Sequence, residues 1–529
     1  MNAPAMSEGV AVMFRRYGPA YRWLALVAAM IATMSAVMSA TIVNVAIPDI
    51  MGAFGIDQVT AQWLSSGFLA AMTATMLLID WATKSFGQRF AMNVALALFL
   101  LGGLMGGLAE NADTAILSRL LQGAAAGIIQ PLAMIVVFQV FPPERRGFAM
   151  GLYGLGVVMA PGTSPFIGGL LVDFYGWRYT FYVTVPMGFL SVVLCNLFVP
   201  AGALAKERPR FDWPGYALLL VFLYCFMTAF ADGQDLGWSS ISVAGRFIIA
   251  ATAFAMFIYW ESRIAAPLLD LSVFRKPGFA GAVVVSIILG AGLFGSTYLI
   301  PLYAQTVQKL TPTLSGLLLL PAGLSMMFIT TFAGRLADRF EPGYMIALGL
   351  FMFATSFFLM SYADAHTAFV TLAIFILISR AGMGFIFPSL SAGSIRLLPM
   401  PMMAQGSSLM NFTRQLGGAF GVNIMAVVLD RQLSDHTEHV IETQTAANPA
   451  TEAYVRTIAE IAETRGGLSD LQAEAMAFRH LGQALQTEAA VFGFQASFYY
   501  GSIAFLASIA GAFMMVRGAR KRRRLEAMA

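Results

Sequence analysis

Charge is the first thing this chain lacks. Only 11% of its 529 residues are Asp, Glu, Lys or Arg, against about 25% in a soluble domain, which excludes a water-soluble enzyme. Cysteine is nearly absent too. Cys195 and Cys225 both sit in apolar stretches far from any histidine, so they read as packing residues, with no disulfide framework and no metal site. Histidine is as scarce: His366, His436, His439 and His480 all fall outside the apolar runs. His436 and His439, three apart beside Asp435 and Glu438, have a weak metal-like spacing but read better as solvated surface residues. No phosphate-binding glycine loop and no nucleophile–base constellation occurs. An ATP-driven pump is thereby excluded, no catalytic residue is expected and no cofactor is required. The net charge of +4 comes from basic residues scattered through short loops, which excludes nucleic acid as a partner.

What the chain has instead is length in apolar runs. Hydrophobic residues make up 58% of it. They gather at 21–48, 60–82, 90–109, 114–139, 148–172, 180–200, 214–231, 241–260, 279–304, 313–333, 343–362, 367–390, 404–429 and 491–516. Each run is long enough to cross a bilayer, whose hydrocarbon needs about 20 residues of helix. Hydrocarbon offers no partner to backbone N–H and C=O groups, and the alternating pattern of a barrel is missing, so the spans are helices. The expected fold is an all-α integral membrane bundle of fourteen transmembrane helices.

The loops orient it. Arg15, Arg16, Lys84, Arg89, Arg145, Arg146, Lys206, Arg208, Arg210, Arg263, Arg275, Lys276, Arg335, Arg339, Arg396 and the tail from Arg520 to Arg524 fall on one side. Asp57, Glu110, Asp113, Asp232, Asp235 and Asp364 fall on the other. The positive-inside rule makes the first set cytoplasmic, with both termini inside. The first run is too long for a signal-peptide core and lacks a small-residue cleavage site, so it is kept as a helix. One segment, 431–490, is polar and acidic and is expected in the periplasm. Its apolar residues Tyr454, Ile458, Ile461, Leu471, Phe478, Leu481 and Leu485 recur at helical spacing, which predicts two short amphipathic helices. They read either as a solvated hairpin packed on itself or as a docking surface for a periplasmic partner.

An internal repeat runs through the chain. The tight basic turn around Lys84, Gly87 and Arg89 returns around Gly334, Asp338 and Arg339, and Ser118-Arg119 with Gly123 returns as Ser379-Arg380 with Gly384. From Lys84 to Asp338 is 254 residues and from Arg119 to Arg380 is 261, so two parallel halves of about six helices flank an extra central pair. The expected organisation is an N-terminal segment 1–20, a first half 21–200, two extra helices within 201–270, and helices 9–13 of the second half within 271–430. The acidic loop 431–490, a last helix 491–517 and a basic cytoplasmic tail 518–529 follow. Parallel repeats of this kind place a transport site between the halves.

These residues make the chain similar to the major facilitator superfamily, in its fourteen-helix drug:proton antiporter branch (EmrB/QacA-like). The resemblance covers nearly the whole chain. It rests on Thr41 to Pro48, the Gly87 turn, Arg119 to Gly123, Ala160 to Gly169, Trp177-Arg178, Val185 to Gly188, Tyr303 to Gln305 with Gly316 and Pro321, and Asn411 to Gly418. It implies proton-coupled efflux of lipophilic drugs by alternating access across a bacterial inner membrane, and hence antibiotic resistance. In a cell with an outer membrane it also implies a periplasmic adaptor and an outer-membrane channel as partners. The family ties the position of Arg119 to proton coupling and Lys84, Gly87, Asp338 and Arg339 to gating. Pro161, Pro165, Gly168 and Gly169 match the antiporter motif. Asn44, Gln122, Tyr303, Gln305, Arg380, Asn411, Arg414 and Gln415 become candidates for the substrate cavity.

Each reading has a plainer alternative. Gly and Pro close together in 160–169 thin the helix and suit either a bending seal or ordinary small-residue packing. Arg119 either faces the central cavity or snorkels to the periplasmic interface. Asp338 is either a gate or one half of a surface ion pair worth under about 1 kcal/mol. Two departures stand out. Ser39 occupies the helix 1 position where relatives carry an acid, and Lys84 replaces the usual Asp. With no Asp or Glu in the middle of any run, the interior is expected to favour neutral or weakly anionic lipophilic compounds over dications. A transporter of one specific metabolite on the same fold is the nearest rival function, and a non-transporting membrane scaffold a remote one.

Overall fold

The computed structural model describes residues 8–142, 145–202, 210–233, 236–264, 267–276, 278–337, 339–399, 402–443 and 448–528. Lys206, Arg208, Asp235 and Asp338, named above, lie outside the described residues. Those described are helical throughout, without a strand among them. Among the described residues thirteen helices are long and apolar enough to cross a membrane, or fourteen when one pair bent by 54° counts as a single span.

A short helix α1 (Glu8–Tyr17) leads into α2 (Tyr21–Ile42), which passes through a 3-10 turn (Val43–Ala46) to α3 (Ile47–Phe54). The brief α4 (Gln58–Ala61) precedes the bent pair, α5 (Trp63–Met76) and α6 (Ile79–Phe86). Gly87, at φ 86°, then makes the basic turn that sends the chain back as α7 (Gln88–Gly107), a conformation that favours glycine. α8 (Ala112–Val140), α9 (Arg146–Tyr175), the short α10 (Tyr179–Tyr182) and α11 (Thr184–Phe198) complete the first half. α12 (Trp213–Asp232) and α13 (Ile241–Glu261) are the extra pair. The second half holds α14 (Phe279–Thr306), α15 (Pro312–Ala337), α16 (Pro342–Met360), α17 (Phe369–Arg396), α18 (Met403–Thr443) and, after α19 (Pro449–Gly466), α20 (Asp470–Met528). Side-chain caps start several of these helices: Asp57 accepts from Thr60 N, Asn111 from Thr114 N and Ser240 from Val243 N, satisfying donors that a helix start leaves open.

The repeat is visible in the packing. α2 lies against α9 and α11 as α14 lies against α18 and α20. Likewise α8 lies against α5 and α7 as α17 lies against α15 and α16. The halves meet along two equivalent seams, α9 with α15 and α5 with α18. Behind the second seam α12 rests on α5 and α18, held by Asn423 Nδ2 donating to Met227 O at 3.3 Å.

One expected boundary shifts. The acidic stretch 431–490 is not a loop holding two separate short helices. α18 continues to Thr443, and α20 begins at Asp470 and runs on through the last span and the basic tail. Only α19 is a separate element, packed on the start of α20 with Tyr454 Oη 2.8 Å from His480 Nδ1. Once a helix is nucleated, each added residue gains a backbone bond with no new nucleation cost, so polar sequence after an apolar span extends it.

The α9/α15 seam is close at one end and open at the other. A Cβ built on Gly169 would lie 2.2 Å from Pro312 O, and one on Gly316 would lie 2.3 Å from Pro165 O. One on Gly323 would lie 2.3 Å from Gly162 Cα. Nearer the basic-loop end, Gly151, Gly154 and Gly334 would meet nothing within 4 Å. The two helices therefore touch backbone to backbone as far as Gly162 and Gly323 and then diverge. Gly323→Ala is expected to cost about 1–3 kcal/mol through overpacking, while Gly334→Ala, with open space, leaves stability unchanged. Melting of the two purified variants in detergent checks this, and equal melting temperatures would contradict the close approach.

Candidate functional site

Arg119 of α8 is fully buried, at 0% exposure. Its Nε donates to Leu64 O at 2.7 Å, and its Nη1 to Ser39 Oγ at 2.9 Å and Gln122 Oε1 at 2.8 Å. The guanidinium carbon stands 4.3 Å from the centre of the Phe68 ring, and Nη2 has no partner. Ser39 Oγ and Gln122 Oε1 lie 3.2 Å apart, and Gln122 Nε2 donates on to Thr184 Oγ1 at 3.1 Å. Arg119 thus neither snorkels nor opens into a cavity; it is sealed inside the first half. One of the side chains that meet its guanidinium is Ser39, at the position where the family resemblance leads an acid to be expected. A charge in hydrocarbon costs several kcal/mol unless protein groups solvate it, and here dipoles alone do so.

The second half repeats this theme with different partners. Arg380 of α17, 5% exposed, donates from Nη2 to Thr297 Oγ1 at 3.1 Å and from Nη1 to Met383 Sδ at 3.3 Å. Arg414 of α18, half-buried, places its guanidinium carbon 4.8 Å from the Phe387 ring centre, a cation–π contact. Gln415 reaches across the α5/α18 seam, with Nε2 3.4 Å from both Gln130 Oε1 and Met72 Sδ. Asn411 is half-buried one turn earlier on α18. Ion pairs among the described residues include Lys84–Asp80, Arg246–Asp232, Arg431–Asp435 and Arg456–Glu460. The three interior arginines have no carboxylate partner there. Arg246, a few residues into α13, was not singled out by the sequence and does have one.

Other candidates lie inside a half or in its closure. Asn44 accepts from Ser65 Oγ at 2.5 Å within the first half, and Tyr303 donates to Asp364 O at 2.7 Å within the second; neither lines an opening. Gln305 Nε2 donates to Val45 O at 2.8 Å across the halves. Two contacts missed by the sequence reading join it at the same acidic-loop end: Gln58 Nε2 donates to Tyr298 Oη at 3.0 Å, and Thr313 N to Asp173 Oδ2 at 2.9 Å. Single polar residues in apolar runs carry no pattern, so no sequence signal could pair them. Outside the spans, donation from the Thr367 hydroxyl and the His366 amide holds the Asp364 carboxyl below the usual carboxylate range.

The motif residues are placed as follows. Pro161 and Pro165 lie inside an unbroken α9, and Gly168 lets Ile42 O approach to 2.8 Å of where a Cβ would stand. Gly169 does the same for Pro312, so the motif sits on both the α2 and α15 contacts. Thr41 Oγ1 and Ser164 Oγ, 2.5 Å apart, join α2 to α9 beside it. Lys84 pairs with Asp80 at 2.6 Å on the exposed basic turn, and Arg339 is exposed. Asp338, their expected partner in gating, is outside the described residues. Among those described, no group of three or more metal-ligating side chains occurs; His436 stacks on Phe492 with ring centres 4.4 Å apart.

Comparison with known proteins agrees with this architecture. The family model of the Major Facilitator Superfamily matches residues 29–422. Multidrug export protein EmrB of Haemophilus influenzae is 27% identical over 480 residues, 90% of this chain and 92% of its own. The Escherichia coli K12 protein of the same name is 29% identical over 431 residues, 81% of this chain and 84% of its own. An uncharacterised MFS-type transporter of Bacillus subtilis, YhcA, is 29% identical over 424 residues, 80% of each chain. Among solved structures, a bacterial homologue of the human lysosomal transporter Spinster, inward-facing and unoccupied, superposes with a TM-score of 0.66 at 16% identity. It covers 95% of this chain and 98% of its own. A peptide transporter complexed with sulfate gives 0.62 at 15% identity, covering 93% and 97%. The match over residues 29–422 and the thirteen or fourteen candidate spans among the described residues make this a multi-pass membrane transporter rather than an enzyme, and the chain belongs to the Major Facilitator Superfamily.

Proposed function

We propose that the protein exports neutral or weakly anionic lipophilic compounds by alternating access in exchange for protons, in a bacterial inner membrane with both termini cytoplasmic. The observation that carries this reading is the state of the seam. It is closed at the acidic-loop end by Gln305–Val45, Gln58–Tyr298 and Asp173–Thr313 and parted beyond Gly162 and Gly323 toward the basic loops. An opening on the positive-inside face admits compounds from the cytoplasm. The relatives named as multidrug export proteins support the direction of transport.

Opening the other end requires breaking the three closing hydrogen bonds, each worth about 1 kcal/mol net. That total is comparable to the roughly 2.3 kcal/mol that one charge gains per 100 mV of membrane potential, so one proton per cycle suffices to drive the rocking. Half-buried Arg414 is the cation a compound in the seam would meet, and with sealed Arg119 and Arg380 adding to the same positive field, it repels a dication and attracts a negative headgroup. The same cations would suit a carboxylate-bearing metabolite, which is the second reading. Beyond the membrane, the end of α18, α19 and the start of α20 form the surface on which an adaptor would dock.

Gradient-driven flux of a lipophilic dye panel in proteoliposomes is expected to fall by about tenfold or more in Arg119→Ala, which leaves the Leu64 carbonyl and Ser39 without their buried donor. Flux independent of the gradient would refute the exchange with protons. Ser39→Asp, which sets a carboxylate against Arg119, is expected to raise transport of a quaternary dication relative to a lipophilic acid. A native chain that already prefers the dication would overturn the assigned substrate class. Replacing 440–485 with a short linker is expected to spare flux in vesicles and abolish resistance in whole cells, whereas loss of both would make the segment structural.

A further inference from the structure

Among the described residues the buried carboxyls are two, Asp212 at 6% exposure and Glu261 at 3%, and neither forms an ion pair with Arg119, Arg380 or Arg414. They stand together at the basic-loop end of the extra hairpin, where α12 begins and α13 ends. One oxygen of each is satisfied. Asp212 Oδ1 accepts from Gly215 N at 3.1 Å, capping α12, and from Trp260 Nε1 at 2.9 Å, joining α12 to α13. Glu261 Oε2 accepts from Leu269 N at 3.0 Å, tying α13 to the connection that leads into α14.

The other oxygen of each, Asp212 Oδ2 and Glu261 Oε1, is buried without a donor. The two are neighbours. A Cβ on Gly215 would lie 2.2 Å from the first and 2.7 Å from the second, so a residue with no side chain is what lets the carboxyls approach over the helix. Among the described residues no cation answers them. Arg263 places its guanidinium carbon 5.3 Å from the Tyr259 ring centre, Arg210 is exposed, and Tyr216, one turn along α12, packs its ring against Phe211. On the adjoining α6, whose Trp81 touches Phe211 and Trp213, Lys84 and Asp80 pair with each other. α18 and α5, the remaining elements against α12, bring no ion pair to either carboxyl. The opposite end of the same hairpin is built the ordinary way, with Asp232 paired to Arg246.

Two adjacent carboxyls with no cation beside them among the described residues and little water do not readily both ionise. A proton on one oxygen turns an acceptor into a donor, and a carboxylic acid donating to a carboxylate makes a strong charge-assisted bond. We propose that Glu261 carries a proton on its unpartnered oxygen and donates it to the unpartnered oxygen of Asp212, as a proton-binding clasp that fastens the two extra helices and, through Leu269, the connection into the second half. When the proton leaves to water, two like charges face each other across Gly215 and the clasp opens. The site binds a proton whatever compound is transported and in whichever direction, so it stands apart from the function proposed above.

The test uses the full-length protein in detergent or nanodiscs, comparing the native chain with Glu261→Gln and Asp212→Asn, which put an N–H where the shared proton would be. The native melting temperature is expected to fall by a few degrees relative to either variant as the pH rises from about 4.5, where the unfolded carboxyl ionises, to the higher pH at which the buried pair gives up its proton, and to run parallel to the variants above that. Infrared spectra of the native protein at neutral pH should also show a protonated-carboxyl band that shrinks with rising pH and is missing from Glu261→Gln. Melting profiles that run parallel in native and variant proteins over the whole range, or no titrating carboxyl band in the native one, would overturn the clasp. The native infrared titration decides the matter by itself if neither variant folds.

Discussion

Where α9 crosses α15, Gly162 and Gly323 bring two backbones into direct contact, and the two halves of the transporter are organised around that approach. Lipid tails are as apolar as leucine, so helices in a bilayer are held together by close packing and polar contacts rather than by expulsion of water. Small residues at 162, 169, 316 and 323 let the seam close to backbone distance on one side of the crossing, while Gly151, Gly154 and Gly334 on the other face open space. A contact tight at one end and parted at the other is what a rocking seam requires. Pro161 and Pro165 lie at the crossing itself, where each leaves one i−4 carbonyl of α9 without its N–H and eases bending.

Low dielectric surroundings explain the polar interior as well. Arg119 survives at 0% exposure because Leu64 O, Ser39, Gln122 and the Phe68 face surround it. Arg380 and Arg414 depend on a hydroxyl, a thioether and an aromatic ring in the same way. The buried acids are elsewhere, at the foot of the α12–α13 hairpin. Cations inside the two halves and carboxyls at the foot of the extra hairpin keep the buried positive charges apart from the buried acids. In the proposed mechanism their effects meet through the helices, since α12 rests on both α5 and α18.

Much of this architecture was legible before any coordinates. Runs of apolar residues a bilayer long, the basic turns at Gly87 and Arg339 and the spacing of the Arg119 and Arg380 motifs led to the spans and the repeated halves. These are local or periodic signals, and water-free surroundings make them strict. Less was legible at the site. Asn44 and Tyr303 carried the right family positions yet bond within their own halves, while Gln58, Tyr298, Asp173 and Thr313 had no motif and yet close the seam. The 431–490 segment read as a loop because its composition is polar, although helix continuation across 431 and 490 is a matter of backbone cooperativity rather than composition.

The sequence by itself determined the solvent, the secondary structure, the number of spans and the doubling of the chain, since all of these follow from hydropathy, length and repetition along one dimension. Tertiary structure alone decided which end of the seam is shut, that Arg119 is sealed against Ser39 rather than open to a cavity, and that Asp212 meets Glu261 over Gly215. Those pairings join residues tens to hundreds of positions apart. Their energies come from geometry in a low-dielectric interior, which no one-dimensional pattern encodes.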